Sequence, residues 1–244
     1  MKSGNPALGS KTFAGFGQQT YGNRMTVSGT VNKSIIMLAL LVISAYITWN
    51  MQAEGGNIYP FVIGAAILAF VAAIVTHFVK RIAMVTAPIY AILEGVVLGG
   101  VSAMYQSLYN GIVQQAVILT FGVFAGLLFA YKTGLIRASE NFRRGVIAAT
   151  FGILIMYVAN LILSFFGHQV PFLHDASPLG IGISVVIVIV AALNLVLDFD
   201  FIERGAENGA PKYMEWYSSL TLMITLVWLY LEILRLLSKI YSRN

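Results

Sequence analysis

Seven runs of apolar and small residues take up most of this chain: Ile35–Met51, Phe61–Val79, Ile82–Tyr105, Ile112–Tyr131, Gly145–Phe166, Leu179–Ile202 and Tyr213–Leu237. A helix needs about 20 such residues to cross a hydrocarbon core about 30 Å thick. Barrel strands would instead show as alternating segments of about ten residues. Backbone amides in lipid must be satisfied within the segment, so runs of this length form helices. The predicted fold is an all-α membrane protein, a seven-transmembrane-helix bundle with the last helices central. Composition excludes the alternative of a soluble domain. Hydrophobic residues make up 58% and charged residues 10% of the 244, whereas soluble domains average about 45–50% and about 25%.

The bundle is expected to occupy residues 34–244. Residues 1–33, rich in Gly, Ser, Asn and Gln, read as a flexible cytoplasmic tail, with Phe13, Phe16 and Tyr21 as its only bulky aromatic groups. The first apolar run begins at Ile35, so no cleavable leader is expected.

The net charge of +5 does not signal nucleic acid, because the basic residues sit in alternate loops. Lys33 precedes the first span, Lys80 and Arg81 follow the second, Lys132, Arg137, Arg143 and Arg144 the fourth, and Arg204 and Lys212 the sixth. The stretches 52–60, 106–111 and 167–178 contain no Lys or Arg. This positive-inside pattern places the N-terminus and the even-numbered loops in the cytoplasm of a multi-pass protein of the cell (plasma or inner) membrane. A seventh full span puts Arg235, Lys239 and Arg243 on the outer side, against that rule. There are no cysteines, and so no disulfide or thiolate chemistry.

Small residues identify close packing. Gly95 and Gly99 in the third span, and Gly122 and Gly126 in the fourth, each form a GxxxG that lets backbones approach. Asn160 and Asn194 are expected to hydrogen-bond across helices.

Charged groups in hydrocarbon cost at least about 2.5–3.5 kcal/mol each, so every intramembrane one is a functional candidate. Asp198 and Asp200, two apart on a helix, point about 200° away from each other. Asp200 has Arg204 one turn later, in the favourable order for a helical ion pair. Asp198 has no base at that spacing; its upstream neighbour on the same face is Asn194. It needs a partner from another helix, a cation or a proton. Glu94 lies near the bilayer midplane with no base within a turn, and is expected to face the interior and bond to a neighbouring helix. Glu232 has Arg235 three residues on, so a local ion pair competes with any transport role.

These residues carry a resemblance. "LVLDFDFIERG" in the sixth span, "LYLEILRLL" in the seventh, "PIYAILEGVVLGGVS" (Pro88–Ser102) and "GAPKYMEWY" (Gly209–Tyr217) resemble the Bax inhibitor-1 (transmembrane Bax inhibitor motif) family, its bacterial branch in particular, over roughly residues 25–240. The resemblance implies a pH-sensitive calcium or cation leak channel, in which two aspartates on the last two helices share a proton and hold the pore shut. Asp198 matches the first of them. The second matches Glu232, with Glu for Asp, but the 34 residues between the two are more than the family pattern has. On straight helices Asp198 lies about 9 Å from the end of its span and Glu232 about 30 Å into the next, so they cannot meet. Either the early part of the last segment is not spanning helix, or Asp198 has another partner such as Glu215.

Two functions follow. One is the leak, with calcium ions, protons and the lipid bilayer as partners, and with Asp198, Glu232 and Glu94 as sensing groups supported by Asp200, Arg204, Asn194, Glu215 and Arg235. The other is a non-conducting regulator that binds other membrane proteins, such as a protease. No enzyme is expected: the GxGD motif of intramembrane aspartyl proteases and the mid-span lysine of retinal proteins are both missing. No cofactor, resident metal or nucleic-acid partner is expected.

Overall fold

A computed structural model describes residues 24–168 and 175–243. Most of the tail, with Phe13, Phe16 and Tyr21, lies outside the described residues. The helices are α1 (Val27–Ala53), α2 (Tyr59–Phe78), α3 (Ala83–Leu108), α4 (Ile112–Lys132), α5 (Glu140–Phe165), α6 (Pro178–Glu207) and α7 (Met214–Arg243), with a short 3-10 turn at Lys80–Ile82 ahead of α3. All seven are long and apolar enough to cross a membrane, and each contains most or all of one predicted span. Large apolar side chains such as Phe78, Ile118 and Phe165 stand exposed on them. Surfaces of that kind need lipid rather than water around them.

Helix α1 starts at Val27, so residues 27–33, expected in the tail, are helical. The cause is local. Thr26 caps the helix, its hydroxyl accepting the Gly29 amide at 2.9 Å, and satisfies one of the first-turn donors that a helix start leaves open.

The chain forms two units: residues up to Leu108 together with Asp200–Ile224, and Tyr109–Phe199 together with the chain from Thr225 on. In the first, α3 packs against α1 and α2. Its glycines explain how closely. A Cβ on Gly95 would overlap Ser44 Oγ and the Leu41 carbonyl oxygen, and one on Gly99 would overlap the Ala45 carbonyl oxygen. The first GxxxG is therefore a packing face, as expected. The start of α1 is also tied to the α6–α7 connection, since the Met25 amide donates to the Ala210 carbonyl at 2.7 Å. Gly209, at φ +65°, supplies the left-handed residue that this turn needs.

In the second unit, Val196 and Leu197 of α6 pack with Ala138 and with Val146 of α5. Phe199 meets Phe124 and Tyr131 with ring centroids 5.6 and 5.9 Å apart. Asn194 donates to Thr150 Oγ1 at 2.8 Å, the cross-helix bond its position suggested. The second GxxxG does not pack. A Cβ on Gly122 or Gly126 would meet no described atom within 4 Å. Its expected role as a packing face is corrected, because among the described residues no neighbouring backbone comes up to that side of α4.

Candidate functional site

Four of the ten acidic residues are buried, and all four lie on the last two helices: Asp198 at 7% exposure, Asp200 at 8%, Glu215 at 1% and Glu232 at 2%. An ionised carboxylate in an apolar surrounding is costly unless hydrogen bonds or a counter-charge compensate it. The structure supplies that compensation in three local arrangements.

Glu232 sits in the second unit, 18 residues into α7, with Leu229, Ile233 and Leu234 buried around it. Arg235 Nη1, on the next turn, donates to both of its oxygens at 3.0 Å. Tyr157, from α5, donates its hydroxyl to Oε1 at 2.8 Å, and Trp228 Nε1, one turn back on α7, donates to the same oxygen at 3.2 Å. Arg235 Nη1 also donates to the Tyr157 hydroxyl oxygen, and its guanidinium lies 5.1 Å from the centre of the Tyr157 ring. The three side chains close a ring, Arg235 to Tyr157 to Glu232 and back. Such a ring fixes α5 against α7 and places a neutralised carboxylate in the apolar interior.

Glu215 sits in the first unit, in the first turn of α7. Its Oε1 accepts from the Thr26 amide and the Thr26 hydroxyl, both at 3.0 Å, and its Oε2 is ion-paired with Lys33. Gly29 makes room for it, because a Cβ there would overlap both carboxylate oxygens. Next to this pair, Ser219 donates to the Thr30 carbonyl at 3.0 Å, and Tyr217 OH lies 3.5 Å from His77 Nδ1. Glu215 therefore pins the start of α1 to the start of α7.

Asp200 accepts from Arg204 Nε at 2.9 Å, the contact that a four-residue spacing allows. Glu94 is half-buried on α3, with Tyr90 one turn back on the same helix. Asp198 is buried on α6 between the packed residues Leu197 and Phe199.

The last helix is continuous from Met214 to Arg243. That removes a non-helical start to the last segment as the way to bring Asp198 level with Glu232. Two of the three basic residues on α7 are engaged in the fold. Arg235 is taken up by Glu232, and Lys239, 4% exposed, donates to the Gly180 carbonyl at 3.0 Å.

Tyr157, Trp228, Thr26 and Lys33 were not singled out as site residues. Trp228 could have been found, since it lies four residues before Glu232 on the same helix face. Tyr157, a polar tip in the middle of an apolar span, is a weaker signal. Thr26 and Lys33 carry none, because their partner is more than 180 residues away. Among the described residues, no group of three or more His, Cys, Asp or Glu could hold a metal ion.

A family model described as Bax inhibitor 1 like matches residues 5–242. Comparisons with curated proteins and with solved structures give no match.

Proposed function

This chain belongs to the Bax inhibitor 1-like family, and on that premise we propose that it is a pH-sensitive leak for calcium or other cations across the cell membrane. Protonation of carboxylates inside the bundle is its gate. The observation that carries this reading is the burial of Asp198, Asp200, Glu215 and Glu232 on the two last helices. Carboxylates there lower stability unless compensated, and a membrane bundle built only to stand in lipid needs none of them. Asp200, Glu215 and Glu232 each rest against a basic side chain. Asp198 is the position onto which the family's proton-sharing aspartate falls. Carboxylate oxygens also suit calcium, a hard cation.

The test is calcium entry into liposomes that contain the purified protein, followed from acidic to alkaline pH. Wild type is expected to leak with a marked pH dependence, and Asp198→Asn to leak at a rate that no longer follows pH. Asp200→Asn, whose role is the Arg204 contact, should keep the profile. If Asp200→Asn flattens the profile and Asp198→Asn does not, the two carboxylates are assigned the wrong way round. Liposomes that leak no faster with the protein than without it would instead support a non-conducting regulator of other membrane proteins. That second reading has one observation in its favour: the small-residue face at Gly122 and Gly126 is open to a partner helix.

A further inference from the structure

The first unit contains a cleft of about 630 Å³ lined by Lys33, Arg81, Met84, Pro211, Lys212, Tyr213 and Trp216. Three chain segments each bring one cation to it: α1, the 3-10 turn ahead of α3, and the connection before α7. Glu215, the residue before Trp216, does not answer them all, because Thr26 takes up one of its oxygens and Lys33 the other. Arg81 and Lys212 are exposed, and among the described residues neither has an acidic partner. The remaining walls are apolar or aromatic, and Trp216 carries Lys33 Nζ 5.6 Å from its ring centre.

The position of the cleft says what such a mixture is for. It lies where α1, α3 and α7 begin, at one end of spanning helices. Phe78, Val79, Met84 and Val85, beside Arg81 in the chain, are exposed apolar groups of the kind that face acyl chains. Basic pockets at the ends of membrane helices bind anionic headgroups, and Trp and Tyr mark the same interfacial level.

We propose that this cleft binds the phosphate of an anionic membrane lipid, with Arg81 and Lys212 on the phosphate oxygens, Lys33 behind them, and the acyl chain leaving over Met84. A free phosphate ion would share the first contacts but leave the apolar walls unused. The site is independent of the leak, and its test requires no flux.

The test is quenching of tryptophan fluorescence in detergent-solubilised full-length protein by phosphatidylglycerol or phosphatidylcholine with brominated acyl chains. Phosphatidylglycerol should quench at lower concentration, and Trp216→Phe should remove most of that difference. Each cation near an anionic surface contributes about 1 kcal/mol, or about fivefold in affinity. Arg81→Gln and Lys212→Gln should therefore each weaken phosphatidylglycerol binding about fivefold and together about thirtyfold, with Arg81→Lys close to wild type. Lys132→Gln with Arg144→Gln, two exposed cations outside the cleft, should change nothing. Equal quenching by the two lipids overturns the proposal, as does an equal loss in the control pair. Reversal by inorganic phosphate beyond that by chloride at the same ionic strength overturns the choice of a lipid and leaves a site for the free ion. An unchanged melting temperature in the glutamine variants shows that the fold survives.

Discussion

Arg235 and Glu232 depend on each other unequally. The carboxylate is buried, while the Arg235 side chain remains 36% exposed. Removing the arginine leaves a charge in the interior with only Tyr157 and Trp228 as donors, whereas removing the acid leaves a cation that can still reach solvent or headgroups. Breaking a buried pair from one side typically costs about 3–5 kcal/mol. Arg235→Met is expected near the lower end of that range, Tyr157→Phe at about 1.5–3 kcal/mol for a hydroxyl that bonds to two charged groups, and Glu232→Gln with Arg235→Met to recover part of the loss. Thermal unfolding in detergent measures all three, and wild-type stability of Arg235→Met would show that the pair contributes nothing. This pair and Asp200–Arg204 were both legible in the sequence, since three- and four-residue spacings on a helix are contacts by geometry alone. The ion pair of Glu215 was not. Its partners Thr26 and Lys33 are brought to it only by the way α1 and α7 pack, and no local pattern encodes that.

Helices α3 and α4 carry the same glycine spacing with opposite results. On α3 the missing side chains are filled by the backbone of α1, and on α4 by no described atom. GxxxG in a sequence reports a shallow place on a helix, not whether a neighbour uses it. The seven helices were legible because hydropathy over about 20 residues is a property of each segment alone; which helix meets which is a property of pairs. Alanine substitution separates the two cases. Gly95→Ala and Gly99→Ala should each lower stability by at least the 1–3 kcal/mol of ordinary overpacking, since the clash is with backbone. Gly122→Ala and Gly126→Ala should be neutral or stabilising by up to about 1 kcal/mol, the helix propensity gained. Melting temperatures in one detergent decide it: a Gly95→Ala protein as stable as Gly122→Ala would mean that α1 and α3 do not pack as described.

For the molecule as a whole, sidedness is open to direct measurement because the chain has no cysteine of its own. The loop charges predict that Glu54→Cys reacts with a membrane-impermeant thiol reagent from outside intact cells, and that Asn208→Cys reacts only after permeabilisation. A spanning α7 adds that Ser242→Cys reacts from outside. Labelling of Asn208→Cys but not Glu54→Cys in intact cells would reverse the orientation. The bond between Lys33 and Glu215 also sets a clock on biosynthesis. A ribosome that has made Lys33 must add 182 more residues before Glu215 exists. At about 5–20 residues per second, that is roughly 10–40 s. Until then the first helix lacks the carboxylate that anchors its start. Its seat becomes final only when the last helix arrives, so a nascent chain stalled anywhere before Met214 presents an unanchored amino end to the cell's proteases.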